Sequence, residues 1–261
     1  MIKRLTIIGS GNVATNLAIA FHKAGFEIGE VYSRNLTHAT ALTEKVGTKA
    51  VQEISALSAE TDLIVLAIKD DVHETVLGEL KLRHVPIVHT SGAKNLVHFK
   101  TEGYASYGVF YPLQSFLKNE QLDFKHIPIC IEASDPKLLA DLEQLASRLS
   151  QRVTQIDSEK RLVLHLAAVF ANNFTNHLYA LSGEVLSAAN LPFDLLTPLI
   201  QHTANRLATQ SPAELQTGPA IRGDVKTMQQ HLELLDDENS RKIYEALSNS
   251  ITKLGQQNKK G

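Results

Sequence analysis

The chain has 261 residues, 43% of them hydrophobic and 21% charged. That balance belongs to a folded globular chain with room for about two cores, and it excludes disordered, collagen-like and low-complexity classes. Its 26 basic and 28 acidic residues leave a net charge of −2, so there is no global electrostatic case for nucleic acid or an anionic membrane as partner. The single cysteine, Cys130, excludes a disulfide framework and a cysteine-built zinc site. It lies in an apolar run and is expected to be an inert buried thiol.

The first residues place Lys3 and Arg4 before a short apolar run, which Gly9-Ser10-Gly11-Asn12 interrupts. That run is shorter than a secretory signal needs, and no stretch is apolar for the length of a membrane span. A cytoplasmic protein is expected.

Up to about residue 155, short β-like runs alternate with helical spacing. Residues 5–8 are apolar and β-branched, and residues 12–24 follow with apolar positions at Val13, Leu17, Ala20, Phe21 and Ala24 before Gly25. Residues 28–32 read as a second strand and 37–46 as a helix that stops at Gly47. Residues 62–68 form a continuous apolar run, as in a strand buried on both faces. Asp71 with Glu74 three residues on has the form of a capping box. Residues 86–89, 106–111, 127–131 and 153–156 read as further strands, and Asp135-Pro136 opens a helix to about residue 149. Strands alternating with helices at this spacing predict an α/β fold with a mainly parallel sheet.

The texture changes after Asp157. Residues 159–190 form one long helical candidate, with no Asp, Glu, Lys or Arg between Arg161 and Glu184. A helix apolar on most faces is expected to be buried on most faces, as at the centre of a bundle that a second subunit completes. Helices are also predicted over 195–207, 224–235 and 237–254, with a capping box at Ser211-Pro212-Ala213-Glu214. The polar tail 255–261 is expected to fray. The predicted domains are 1–157 (α/β) and 158–261 (all-α).

The strongest motif is Gly9-Ser10-Gly11-Asn12-Val13-Ala14, a GxGxxA pattern between the first strand and the first helix. There Gly9 allows the tight turn, Gly11 admits a pyrophosphate, and the N–H groups of Asn12 and Val13 face the anion from the positive end of the helix. An NAD site has a carboxylate after the second strand. This chain has Tyr32-Ser33-Arg34-Asn35 instead, and Glu30 falls too early. Ser33 can hydrogen-bond a 2′-phosphate and Arg34 can pair with it, so NADP (NADPH) is the expected cofactor. Ala67, Ile68 and Lys69 end the apolar strand where backbone would line the cofactor ribose; a merely exposed residue fits Lys69 equally. Ser91, with His89, ends another strand where open sheets bind ligands; a structural turn fits these two equally.

His165, Asn172 and Asn176 follow at intervals of seven and four on the long helix, near one face. His165 is either a proton donor to a carbonyl or imine or part of a buried polar network, with Asn172 orienting substrate. Arg222, in Thr217-Gly218-Pro219-Ala220-Ile221-Arg222-Gly223-Asp224, either holds a substrate carboxylate or phosphate or pairs structurally with Asp224 or across a dimer. Asp224 caps the next helix. His73, His84, His126, His202 and His231 stand singly, with no HxxxH or HExxH spacing, so no metal site is expected.

Together the Gly9–Ala14 motif, His89-Thr90-Ser91-Gly92, Pro112-Leu113-Gln114-Ser115-Phe116, the stretch from His165 to Asn173 and the stretch from Thr217 to Asp224 resemble the proteins with a Rossmann-like domain followed by a DUF2520 domain, often named as NADP oxidoreductases. Tyr111, before Pro112, stands where that family more often has histidine. The wider relatives are pyrroline-5-carboxylate reductase, the 6-phosphogluconate and β-hydroxyacid dehydrogenases, and ketopantoate reductase. The resemblance implies a helical second domain of 6-phosphogluconate dehydrogenase type that dimerises, and an oxidoreductase of a small-molecule ketone or imine. It also implies a catalytic lysine near Val169 if Asn172-Asn173 matches the dehydrogenases' asparagine pair. That lysine is absent, which leaves His165 as the nearby donor and a non-catalytic NADP-binding protein as the rival reading.

Overall fold

The computed structural model describes residues 1–120 and 122–258. Eight strands form one sheet: β1 (Arg4–Ile8), β2 (Glu27–Tyr32), β3 (Lys49–Val51), β4 (Leu63–Leu66), β5 (Ile87–His89), β6 (Tyr107–Pro112), β7 (Ile129–Ala133) and β8 (Val153–Gln155). Their order is β3-β2-β1-β4-β5-β6-β7-β8. All neighbouring pairs are parallel except β6 with β7. The order reverses between β1 and β4, the switch point at which doubly wound sheets bind ligands.

Helices α1 (Asn12–Lys23), α2 (Leu36–Val46), α3 (His73–Glu79), α4 (Val97–Thr101) and α5 (Pro136–Ser147) accompany the sheet. One apolar cluster packs Leu17 and Phe21 of α1 and Leu142 and Leu145 of α5 on β1, β2, β4 and β7; a second packs Val76 and Leu77 of α3 and Phe99 of α4 on β4 and β5. Apolar strands covered in this way need no alternation, which is why Leu63–Leu66 is buried throughout. Cys130 is buried, as its surroundings in the sequence suggest.

After β8 the chain is helical: α6 (Ser158–Ala168), a π-helical segment Val169–Phe174, α7 (Thr175–Ala188), α8 (Thr197–Arg206), α9 (Pro212–Leu215), α10 (Pro219–Arg222), α11 (Val225–Glu233) and α12 (Glu238–Asn258). The chain divides into two compact units, Met1–Asn172 and the residues from Asn173 onward. The first holds the sheet, α1 to α5 and also α6. No helix among the described residues is long and apolar enough to cross a membrane.

Several sequence expectations are corrected. The apolar run 62–68 contributes only Leu63–Leu66 to the sheet; Asp62 turns its carboxylate to the backbone N–H groups of Lys3 and Arg4. Asp71 caps no helix, because Asp70–Val72 form a 3-10 turn and α3 begins at His73 without a side-chain cap. β3, too short to show a period, was not anticipated. The long helix exists, but the π segment breaks the 3.6-residue count on which one face for His165, Asn172 and Asn176 depended. Within the chain that helix is not buried: Asn172 and Asn176 are exposed and α7 has no buried residue. The tail does not fray at residue 255. α12 runs to Asn258 and Gly255 is buried beside Ile221; residues 259–261 lie outside the described residues. Asp135, Ser211 and Asp224 cap as expected.

Candidate active site

The six strands β1 to β6 end at one edge of the sheet, and the residues singled out in the first unit gather there. Gly9 follows β1 with φ +123°, and a Cβ on it would stand 2.2 Å from the Ala67 carbonyl oxygen. Only glycine lets this turn pass the end of β4. The Gly9 N–H donates to the Tyr32 carbonyl and the Ala67 N–H to the Ile8 carbonyl, both at 2.8 Å, which pins the ends of β1, β2 and β4 together. Nothing lies within 4 Å of the position a Gly11 Cβ would take.

α1 starts at Asn12 with no side-chain cap and no acidic residue in its first turn. By contrast Asn35, Asp135 and Asp157 cap α2, α5 and α6. The first N–H groups of α1, at Asn12 and Val13, therefore keep their capacity for an anion. Ser10 is buried and its hydroxyl donates to that of Ser33 at 2.8 Å. Arg34 is exposed. Glu30, the carboxylate on β2, is buried in the strand, pairs with Lys49 Nζ at 2.9 Å and accepts the Ser58 N–H. It is not available to a ribose. The cradle of Gly9 and Gly11, the uncapped helix and the Ser33–Arg34 pair fit a dinucleotide that carries a 2′-phosphate. Beyond β4, Ala67 is buried, Ile68 half-buried and Lys69 exposed.

The loop after β5 is held tightly. The Ser91 hydroxyl donates to Asp70 at 2.8 Å and accepts the N–H groups of Ala93 and Lys94 at 3.0 Å, while the Ser91 N–H donates to His89 Nδ1 at 3.1 Å. His165 of α6 lies against the next residue: a Cβ on Gly92 would stand 2.5 Å from His165 Nδ1. That nitrogen is 3.1 Å from the Tyr111 hydroxyl at the end of β6. Burial pushes the Tyr111 phenol above its usual value of 10.0, with Cys130 adding to the rise and Arg161 opposing it.

Sequence reasoning missed Tyr111 as a partner of His165, and it missed Arg161. Arg161, one turn before His165, is buried in full. It pairs with Glu132 of β7 and donates to the Lys94 carbonyl and to Ser158. This ties α6 both to the sheet and to the loop under His165. The only sign in the sequence was its place as the last of three charges, Glu159-Lys160-Arg161, before the stretch that stays uncharged up to Glu184.

Three histidines distant in the sequence also meet. His73, His89 and His98 pack with ring centroids 5.5 to 5.8 Å apart beside Phe99. Burial pushes each below the usual 6.5. His89 takes the Ser91 N–H on Nδ1, so its proton sits on Nε2 and that atom offers no lone pair to a metal.

In the second unit Arg222 is exposed at the end of α10. Asp224 caps α11; the Thr227 hydroxyl and amide, and then the Arg222 charge, hold its carboxyl below the usual range. A groove of about 610 Å³ is lined by Asn176, Tyr179 and Gly183 of α7 and by Phe193, Ile200 and Gln201 beside and on α8.

The edge thus has the form of a nicotinamide-dinucleotide site with an imidazole beside it. Comparison agrees. Residues 4–91 match the family described as NADP oxidoreductase, coenzyme F420-dependent, and residues 127–251 match a domain of unknown function, DUF2520. A Bacteroides fragilis protein whose crystal structure is described as a putative NADP oxidoreductase is 40% identical, with a TM-score of 0.90 over 97% of this chain and 98% of that one. The chain belongs to this family of NADP oxidoreductases with a DUF2520 domain, and NADP is the family's cofactor. Two more distant structures share the fold. An imine reductase from Myxococcus stipitatus in complex with NADP+ is 16% identical, with a TM-score of 0.62 over 98% of this chain and 94% of that one. A 1-pyrroline-5-carboxylate reductase from Streptococcus pyogenes is 17% identical, with a TM-score of 0.63 over 96% and 98%. No curated protein matches the chain.

Proposed function

We propose that the chain is an NADPH-dependent reductase of a small imine or ketone, of the imino- or 2-oxo-acid kind, and that it works as a homodimer through its helical unit. The observation that carries the reading is His165, set on Gly92 and bonded to Tyr111 at the sheet edge that ends in the dinucleotide cradle. Gly9, Ser10, Gly11, Asn12 and Val13 would hold the pyrophosphate, and Ser33 and Arg34 the 2′-phosphate. The backbone of Ala67, Ile68 and Lys69 would line the ribose, with Ser91 on the nicotinamide side. Bound NADPH supplies a hydride. His165 supplies the proton that the substrate's oxygen or nitrogen then needs. Asn172 orients the substrate. The names of the imine and pyrroline reductases with this fold support the substrate class.

The homodimer is supported by the second unit's apolar surface. Leu195, Leu199, Val225 and Leu234 are each more than 60% exposed in the single chain, and between Arg161 and Glu184 the long helix carries no Asp, Glu, Lys or Arg that would repel its own copy.

The test is His165→Ala, with a cyclic imine and a 2-oxo acid as probes. Turnover falls about a hundredfold, the usual scale of a lost general acid, while NADPH affinity holds. Loss of both together, or of neither, overturns the role of His165. NADPH binding without turnover of any imine or ketone by the wild type would favour a non-catalytic NADP-binding protein instead.

A further inference from the structure

A neutral imidazole carries its proton on one nitrogen and a lone pair on the other, and the partner of one decides the state of both. His165 Nδ1 lies 3.1 Å from the Tyr111 hydroxyl. A phenol can donate or accept, so the direction depends on where the phenol proton goes. Tyr111 is buried at the end of β6, and among the described residues its hydroxyl has no other hydrogen-bond partner. A buried hydroxyl proton without an acceptor is costly, so the proton goes to Nδ1.

We propose that Tyr111 is a positioning residue for His165: its hydroxyl donates to Nδ1 and fixes the ring as the tautomer protonated on Nε2. The inference rests on the reading of His165 as proton donor only for its use, not for its geometry.

Three further features agree. The ring cannot slide away from Tyr111 toward β5, because it already lies on the Gly92 backbone at a distance that no side chain there would tolerate. It cannot retreat with its helix, because Arg161 holds α6 to Glu132 of β7 and to the Lys94 carbonyl. Burial also keeps Tyr111 in its protonated, donating form. The two rings meet edge to face, 75° apart with centroids at 6.1 Å, and the one bond between them fixes the imidazole about its own axis. Nε2 then presents its N–H to the substrate as a donor; the imidazolium that gives this proton up forms when Nδ1 takes a proton from solvent and the Tyr111 hydroxyl turns to accept it.

The experiment uses the full chain labelled with 15N on its histidine rings, above the pH range of histidine titration. His165→Gln identifies the His165 signals by their loss. In the wild type they show a proton on Nε2 and a hydrogen-bonded, unprotonated Nδ1. Tyr111→Phe keeps the packing and removes only the hydroxyl, and it moves the Nδ1 signal toward that of an unbonded ring nitrogen. Turnover of an imine probe falls about tenfold, the share of one such bond, with NADPH affinity unchanged. A wild-type His165 protonated on Nδ1 overturns the proposal, as does an Nδ1 signal that Tyr111→Phe leaves unmoved. If the spectra behave as expected while His165→Gln keeps full turnover, the tautomer stands and the proton-donor reading falls.

Discussion

The two units are built on opposite terms. In the first, strands and helices enclose dozens of apolar side chains, and Phe21, Phe99, Phe110 and Leu142 are shut from solvent completely. Each such side chain contributes about 1.5 to 3 kcal/mol, so this unit has its own reason to fold. In the second, Ala220 is the one buried hydrophobic side chain among the described residues, while Leu195, Leu199, Leu207 and Leu234 face outward. Helices of this length gain most of their stability from a buried apolar face, and a single copy does not provide one. The first unit also holds the residues that gather at the sheet edge, from the Gly9 turn to His165. The second leaves its large apolar side chains exposed in the single chain.

The sharpest way to break that contrast is to charge the outward face of α8. Leu199→Glu is harmless on a true surface, where substitutions stay within about 0.5 kcal/mol. In a buried contact an unpaired carboxylate costs several kcal/mol, on the order of a hundredfold in association. Sedimentation is expected to give twice 28.7 kDa for the wild type and 28.7 kDa for the variant. Equal masses for the two proteins would show that α8 lies outside any interface.

Next in size is the buried ion pair of the first unit. Arg161→Met takes the guanidinium from Glu132, which keeps only the Ser158 hydroxyl, and from the Lys94 carbonyl, and breaking such a pair costs about 3 to 5 kcal/mol. Urea unfolding followed by a β-sheet signal measures the loss. A midpoint close to wild type would mean that α6 is held by packing alone. Gly9→Ala comes third. A Cβ at a positive φ against the Ala67 carbonyl costs about 2 kcal/mol and closes the cradle, so NADPH binding is lost along with part of the stability.

The histidine cluster gives a smaller effect with a definite sign. His73, His89 and His98 titrate below 6.5 in the folded chain. Just below that pH the unfolded chain binds more protons. Their contribution is thus complete above 6.5 and is lost as the pH falls through the lowered values, at up to about 1.4 kcal/mol per pH unit for each group that must take up a proton. Unfolding at stepped pH is expected to show the loss, and His89→Asn to flatten it. A wild type equally stable on both sides of 6.5 would contradict it.

What the sequence disclosed follows the same division. The Gly9–Ala14 turn was legible because a glycine turn, an uncapped helix and a strand end are all local. So were seven of the eight strands and the caps at Asp135 and Asp224. Tyr111 with His165 was not, because 54 residues separate them and only the placement of β6 beside α6 joins them. The histidine cluster was hidden for the same reason: its members come from α3, β5 and α4. The π segment left no local mark, since its residues suit an α-helix equally well. Within the single chain the long helix is not buried, because an uncharged sequence says that a face is covered, not by what.

The most direct measurement is a titration of the full chain with NADPH and NADH, followed by nicotinamide fluorescence, with Arg34→Ala beside the wild type. NADPH is expected to bind at least about tenfold more tightly than NADH, with Arg34→Ala removing the preference, a difference of about 1.4 kcal/mol or more resting on the 2′-phosphate. If neither nucleotide binds, or if NADH binds as tightly as NADPH, the sheet edge is not the NADPH site described here.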